Sequence, residues 1–98
     1  MFFFDELGKE KKMKMEVRTA VEVKSWLASK IKDEASSNHC YIDIFEGENG
    51  GKELDCFVIA ETEKAINVYI YAENINDNLC KFYTWIPKSQ VLNKKVIA

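Results

Sequence analysis

The residues best suited to catalysis or metal binding are few and scattered. His39 is the only histidine, and no serine or cysteine nucleophile motif accompanies it. Together with Cys40, Cys56 and Cys80 it could in principle form a zinc site. In a strand, however, the adjacent side chains of His39 and Cys40 point to opposite faces, which argues against both binding one ion. We therefore predict no catalytic residue, no metal site and no cofactor, and three reduced cysteines that act as small apolar side chains.

Acidic and basic residues are unevenly distributed along the chain. Residues 33–80 contain eleven Asp and Glu but only two Lys, whereas residues 81–98 contain four Lys and no acidic residue. An acidic surface can attract a basic partner and speed its association. The candidate protein-binding residues are the acidic ones around the predicted hairpin ends: Glu46, Glu48, Glu53, Asp55, Glu61 and Glu63.

The C-terminal aromatic and basic residues provide an alternative surface. Trp85 lies three residues before Lys88, so that an aromatic ring and a cation are available together. Nucleic-acid bases stack on aromatic side chains while lysines neutralise the phosphates. Lys64 and Lys81 extend this candidate nucleic-acid-binding set, although the net charge of -2 counts against a nucleic-acid partner. The other interpretation of Trp85 is that it fills the core.

One main helix is predicted over residues 19–35. Thr19 and Glu22 match the capping box found where many helices begin. Apolar residues then recur at spacings of three and four, which predicts one buried face. These residues are Ala20, Val23, Leu27 and Ile31, and Trp26 widens the face. Residues 1–17 precede the helix as an N-terminal extension, either a short helix or a partly disordered tail.

Four strands are predicted after the helix, because apolar and polar residues alternate between turn-forming segments. They span residues 39–45, 53–60, 65–71 and 79–86, and a short fifth strand follows at 91–92. Pairing Phe45 with Glu53 places the aliphatic residues of the first two strands on one face, and Asp43 opposite Asp55. We expect residues 18–98 to form a single α+β domain, a bent antiparallel sheet or small barrel-like meander of four to five strands with one main helix.

Two segments near the C terminus carry a family resemblance. Residues 62–66 read TEKAI and residues 85–90 read WIPKSQ. The pair resembles a pattern in small proteins and modules encoded by phages and other mobile elements, in which one strand begins near TEKA and the next ends in W(I/L)PKSQ. The resemblance implies a small β-rich module in a mobile-element setting, and it implies no agreed activity. The insertion at 72–78 and the separate N-terminal helix depart from the pattern.

These observations favour a protein that binds another macromolecule without catalysing a reaction. The first hypothesis is an accessory protein of a phage or mobile element, of the anti-CRISPR type, whose acidic surface inhibits a nucleic-acid-targeting defence complex of the host. The alternative is a small nucleic-acid-binding module.

The sequence contains no run of about 18 apolar residues, which a membrane-spanning helix would need. The opening residues do not match a signal peptide. We therefore expect a cytoplasmic protein without a membrane partner. The surplus aromatic residues also suggest a homodimer: Tyr69, Tyr71, Phe82 and Tyr83.

Overall fold

The computed structural model describes residues 16–97, which form one sheet and one long helix. The elements are, in chain order, β1 (Val17–Val23), α1 (Ser25–Ser37), β2 (Phe45–Glu46), β3 (Lys52–Glu61), β4 (Ala65–Glu73), β5 (Leu79–Pro87), a 3₁₀ turn (Lys88–Gln90) and β6 (Val91–Val96). Within this range, no helix has both the length and the apolar composition needed to cross a membrane. The prediction for residues 1–15 lies outside the described residues, and Val17 belongs to β1.

The strands form an open antiparallel sheet. Their order is β5-β4-β3-β1-β6, and β2 pairs with the start of β3. The α+β class and the antiparallel sheet are confirmed. The barrel-like alternative is wrong, because β5 and β6 lie at opposite ends of the strand order and do not close the sheet. The sheet also has six strands instead of four or five, and β1 is the strand that the prediction missed.

The predicted helix begins too early in the chain. Residues 17–23 form β1, and α1 starts only at Ser25. Thr19, Val21 and Val23 are buried on one face of β1, and their β-branched side chains fit a strand well. Pairing with β3 on one side and β6 on the other satisfies the backbone of β1. Thr19 and Glu22 therefore form no capping box.

The helix α1 covers one face of the sheet, which we call the inner face. Its buried residues recur at helical spacing: Leu27, Ala28, Ile31 and Ala35. They share one core with buried strand residues, which include Val21, Val23, Leu54, Cys56, Ile66, Val68, Ile70 and Ile86. Burying each large aliphatic side chain stabilises the fold by about 1.5–3 kcal/mol. Trp26 does not widen the buried face of the helix as predicted, since 57% of it is exposed.

Residues 39–44 do not form the predicted first strand of a hairpin. Only Phe45 and Glu46 pair with β3. They do so in the predicted register, with Phe45 opposite Glu53. From Phe57 onward, β4 occupies the same edge of β3. Cys40 and Ile42 are instead buried in the core, so the segment leaves β3 and the predicted pairing of Asp43 with Asp55 does not form.

The last three predicted strands are confirmed, with longer bounds. β4 and β5 pair over nine residues, from Ala65 opposite Pro87 to Glu73 opposite Leu79. The predicted closing strand at 91–92 extends to Val96 and lies beside β1. The face of the sheet that points away from α1 is called the outer face.

Candidate functional site

A buried carboxylate shapes the loop between β2 and β3. Glu22 is only 2% exposed. Its carboxylate accepts hydrogen bonds from the backbone N of Asn49 at 2.9 Å, from Nδ2 of Asn49 at 2.9 Å and from the backbone N of Gly51 at 2.8 Å. Burial raises the pKa of Glu22, but the hydrogen bonds from the loop outweigh this effect and leave that pKa below its ordinary value. Glu22 is therefore a structural residue that fixes the loop carrying Glu48.

A fork in the sheet creates a cavity. β2 and β4 lie along the same edge of β3 but leave residues 54–56 between them without a partner strand on that edge. The resulting cavity has a volume of about 340 Å³ and is lined by Arg18, Asp43, Phe45, Asp55, Phe57, Ile70 and Tyr71. Asp43 and Asp55 thus share a cavity wall without facing each other across a ladder. Arg18 neutralises Asp55 through hydrogen bonds of 3.1 and 2.6 Å.

A second depression of about 540 Å³ adjoins this cavity, because Asp43 and Tyr71 line both. Five exposed apolar side chains border the two: Tyr41, Phe45, Tyr71, Ile75 and Leu79. Four carboxylates also line the two depressions: Asp43, Asp55, Glu73 and Asp77. We call this combined surface the acidic–aromatic groove. It can bind a chain that offers apolar side chains together with positive charge.

The six acidic residues predicted to bind a protein do not form one patch. Glu53 and Glu61 lie near opposite ends of β3, about 26 Å apart for eight residues of extended strand. Three of the six are ion-paired: Glu46 with Lys52, Asp55 with Arg18, and Glu61 with Lys88. The hydrogen bond from Lys88 and the charges of Lys94 and Lys88 lower the pKa of Glu61. Only Asp55 belongs to the acidic–aromatic groove.

An aromatic cluster lies on the outer face. Phe57 stacks on Tyr69 with ring centroids 5.0 Å apart, and Tyr71 and Tyr83 contact Tyr69 at 5.4 and 5.5 Å. Nζ of Lys81 lies 4.6 Å from the centroid of the Tyr69 ring, an attractive cation–π geometry. The hydroxyl of Tyr69 donates a hydrogen bond of 2.6 Å to Glu16, and this bond raises the pKa of Tyr69. These contacts hold the four aromatic rings together on the outer face.

The residues predicted to bind nucleic acid lie along β5 and its C-terminal end. Lys81 and Trp85 share the outer face, four residues apart, and Trp85 is half exposed, so it does not fill the core. The backbone N of Lys88 donates to the backbone oxygen of Lys64 at 2.8 Å, which brings these two lysines together at the end of the strand. The side chain of Lys88, however, is paired with Glu61.

Of the four candidate zinc ligands, only the thiols of Cys40 and Cys80 come together. His39 is exposed and has a positive φ of 62° just after α1. Cys40 and Cys56 are buried, and burial raises the pKa of the Cys56 thiol to about 12. The thiol of Cys40 and partial burial raise the pKa of Cys80 to about 11. Among residues 16–97, no group of three or more His, Cys, Asp or Glu side chains is arranged to hold a metal ion.

Comparison with known proteins found no matching family model, no matching curated protein and no matching solved structure. A functional argument therefore depends on the geometry of the surface itself. The groove was missed because its residues are far apart in sequence and unremarkable one by one. The one available signal was Ile75, an apolar residue in the middle of the turn-forming segment 73–78.

Proposed function

We propose that this protein is a non-catalytic binding protein that holds a partner protein in the acidic–aromatic groove. The observation that carries the proposal is the coincidence of exposed apolar side chains and carboxylates at one fork of the sheet. Ile75 is 77% exposed and Leu79 is 72% exposed. Monomeric proteins rarely leave apolar side chains of this size grouped in a concave surface unless a partner covers them.

The charges define the class of partner. Among the described residues, Asp43, Glu73 and Asp77 form no ion pair, so their negative charge is available to a ligand. Asp55 is already neutralised by Arg18. The matching ligand is a protein segment that carries Lys or Arg beside large apolar side chains. The apolar contacts supply most of the affinity, while the carboxylates orient the segment and speed its association.

We propose a phage or mobile-element setting for this binding, in which the partner is a nucleic-acid-targeting defence complex of the host and the effect is anti-CRISPR-type inhibition. The similarity of residues 62–66 and 85–90 to mobile-element modules supports the setting. The groove carboxylates Asp43, Glu73 and Asp77 support the mode of action, because a basic nucleic-acid channel is complementary to them. The defence complex supplies the catalytic chemistry, and this protein blocks it by occupancy.

The test is an affinity capture with the full chain, from nuclease-treated lysates of cells that carry such defence systems. Asp43→Lys, Glu73→Lys and Asp77→Lys together should abolish capture of the complex and the inhibition of its cleavage. Glu46→Lys, Glu48→Lys and Glu63→Lys together are the matched control, because they change the net charge equally at exposed sites outside the groove. Loss of capture in the control alone would move the site to the hairpin loops and refute the groove.

Nucleic-acid binding is the second candidate, favoured by the exposed Trp85 on the same face as Lys81. Single strands would stack on Trp85 while Lys81 and Lys64 contact the phosphates. Anisotropy of labelled single-stranded DNA and RNA should then show binding that weakens steeply with salt. Trp85→Ala should reduce the affinity, whereas Trp26→Ala should not, because Trp26 is a similarly exposed tryptophan that lies on α1. Absence of binding at low salt would remove this candidate.

A further inference from the structure

The two edges of the sheet differ in how well they are protected. β6 is short and carries two adjacent lysines, Lys94 and Lys95, a composition that discourages pairing with another chain. β5 is nine residues long, has a single lysine, Lys81, and places its only proline at the last position. Within residues 16–97, nothing pairs with the edge of β5 that faces away from β4. Among residues 16–97, β5 is therefore a long edge strand that lacks a partner on one side.

Both faces of this edge carry apolar side chains that are incompletely covered. On the outer face, Tyr83 is 55% exposed and Trp85 is 50% exposed. On the inner face, Cys80 and Phe82 pack against the core but are only partly buried. An additional strand beside β5 would cover the outer aromatic rings and the margin of the core at once, and it would satisfy the free backbone groups of the edge.

We propose that the β5 strands of two copies of this chain pair antiparallel about a twofold axis at Tyr83, so that two sheets join into one. This register aligns all nine residues of β5, with Leu79 opposite Pro87 at each end, where the proline donates no hydrogen bond. On the outer face it places Tyr83 against Tyr83 of the second copy and Lys81 against Trp85, in both directions by symmetry. The first is an aromatic pair and the second a cation–π pair, both favourable across a ladder.

Two other registers, with the axis at Lys81 or at Trp85, are less favourable on the outer face. An axis at Lys81 would bring the two Lys81 side chains together, and like charges directly opposite each other destabilise a ladder. An axis at Trp85 would pair only residues 83–87 and would leave Lys81 without Trp85 opposite it. The dimer goes beyond the proposed function, since β5 contributes only Leu79 to the acidic–aromatic groove and partner binding does not require the second copy.

The test uses the self-contact of residue 83. The full chain should sediment at twice its mass of 11.4 kDa at micromolar concentration. Tyr83→Lys and Tyr83→Glu should each weaken dimerisation about tenfold or more, because each places like charges opposite each other. An equimolar mixture of the two variants should restore the dimer, which also shows that both variants are folded.

Trp26→Lys is the matched control, because Trp26 is a similarly exposed aromatic residue that lies on α1, away from β5. It should leave the dimer intact. A monomeric wild-type chain would overturn the proposal. A Tyr83→Glu variant that dimerises as well as the wild type, or a mixture that stays monomeric, would overturn the Tyr83-centred pairing.

Discussion

Replacing Gly51 with Ala tests how the β2–β3 loop is closed against β1. A Cβ atom at Gly51 would lie 2.2 Å from the backbone oxygen of Val23 and 2.7 Å from Cδ1 of Leu92. Cβ atoms essentially never approach closer than 3.0 Å, so the loop and the end of β1 must separate by about 0.8 Å. Overpacking a buried position usually costs about 1–3 kcal/mol, and a backbone obstacle lies at the upper end, so we expect a loss of about 3 kcal/mol.

Gly50→Ala is the matched control one residue earlier in the same loop. A Cβ atom there has nothing within 4 Å, but the φ of +86° is a left-handed conformation that side chains rarely adopt. The expected cost is therefore the backbone penalty alone, about 1 kcal/mol. The two variants separate steric obstruction from backbone strain within a single loop.

The assay is urea unfolding followed by far-UV circular dichroism. With a denaturant dependence of about 1 kcal/mol per molar urea for a chain of this size, the midpoint should fall by about 3 M for Gly51→Ala and about 1 M for Gly50→Ala. Equal shifts in the two variants, or a larger one for Gly50→Ala, would refute the reasoning. They would show that the Val23 oxygen does not limit the position of the loop.

Three further predictions concern Glu22, Glu61 and Cys56. Gly47→Ala should destabilise the wild-type protein, because its Cβ would lie 2.3 Å from Cδ of Glu22. In a protein that already carries Glu22→Ala, the same substitution should have little effect. Additive effects in the double-mutant cycle would contradict this. Stability should fall in acid, because the folded-state pKa values of Glu22 and Glu61 lie below their ordinary value of 4.5. Their contribution is complete above that value and is lost as the pH falls through the folded-state pKa values, so Glu22→Gln should flatten the pH dependence of the urea midpoint. Cys56 should resist iodoacetamide in the native state, because burial raises its pKa to about 12; mass spectrometry showing equal labelling rates with and without urea would contradict this.

Sequence patterns were sufficient where the structure depends on neighbouring residues. β3, β4 and β5 were predicted because their side chains alternate with a period of two between turn-forming segments. The register of Phe45 opposite Glu53 was also predicted, since both residues flank one glycine-containing loop. These elements needed no knowledge of distant parts of the chain.

The start of the chain could not be predicted in this way. Residues 19–22 fit the capping box of a helix, yet the same residues fit a strand with Thr19 and Val21 on one face. The choice depends on β3 and β6, which pair with both edges of β1. Glu22 then becomes a buried acceptor for a loop 27 residues away, an interaction that no local pattern contains.

The groove was also beyond local patterns. It forms because Cys40 and Ile42 are buried in the core and the chain between them and Phe45 diverges from β3. The six acidic residues chosen from the sequence were grouped by their positions along the chain. Their separation in space follows from the length of β3, with Glu53 and Glu61 near its two ends.

The pairing of β1 with β6 affects how the chain folds during synthesis on the ribosome. The backbone N of Ile97 donates to the oxygen of Arg18 at 2.9 Å, so the first and last strands described here lie side by side. A nascent chain exposes β1 early but obtains its second partner only when residues 91–96 leave the exit tunnel. Until then one edge of an otherwise interior strand has no partner and can pair with another chain, which favours aggregation.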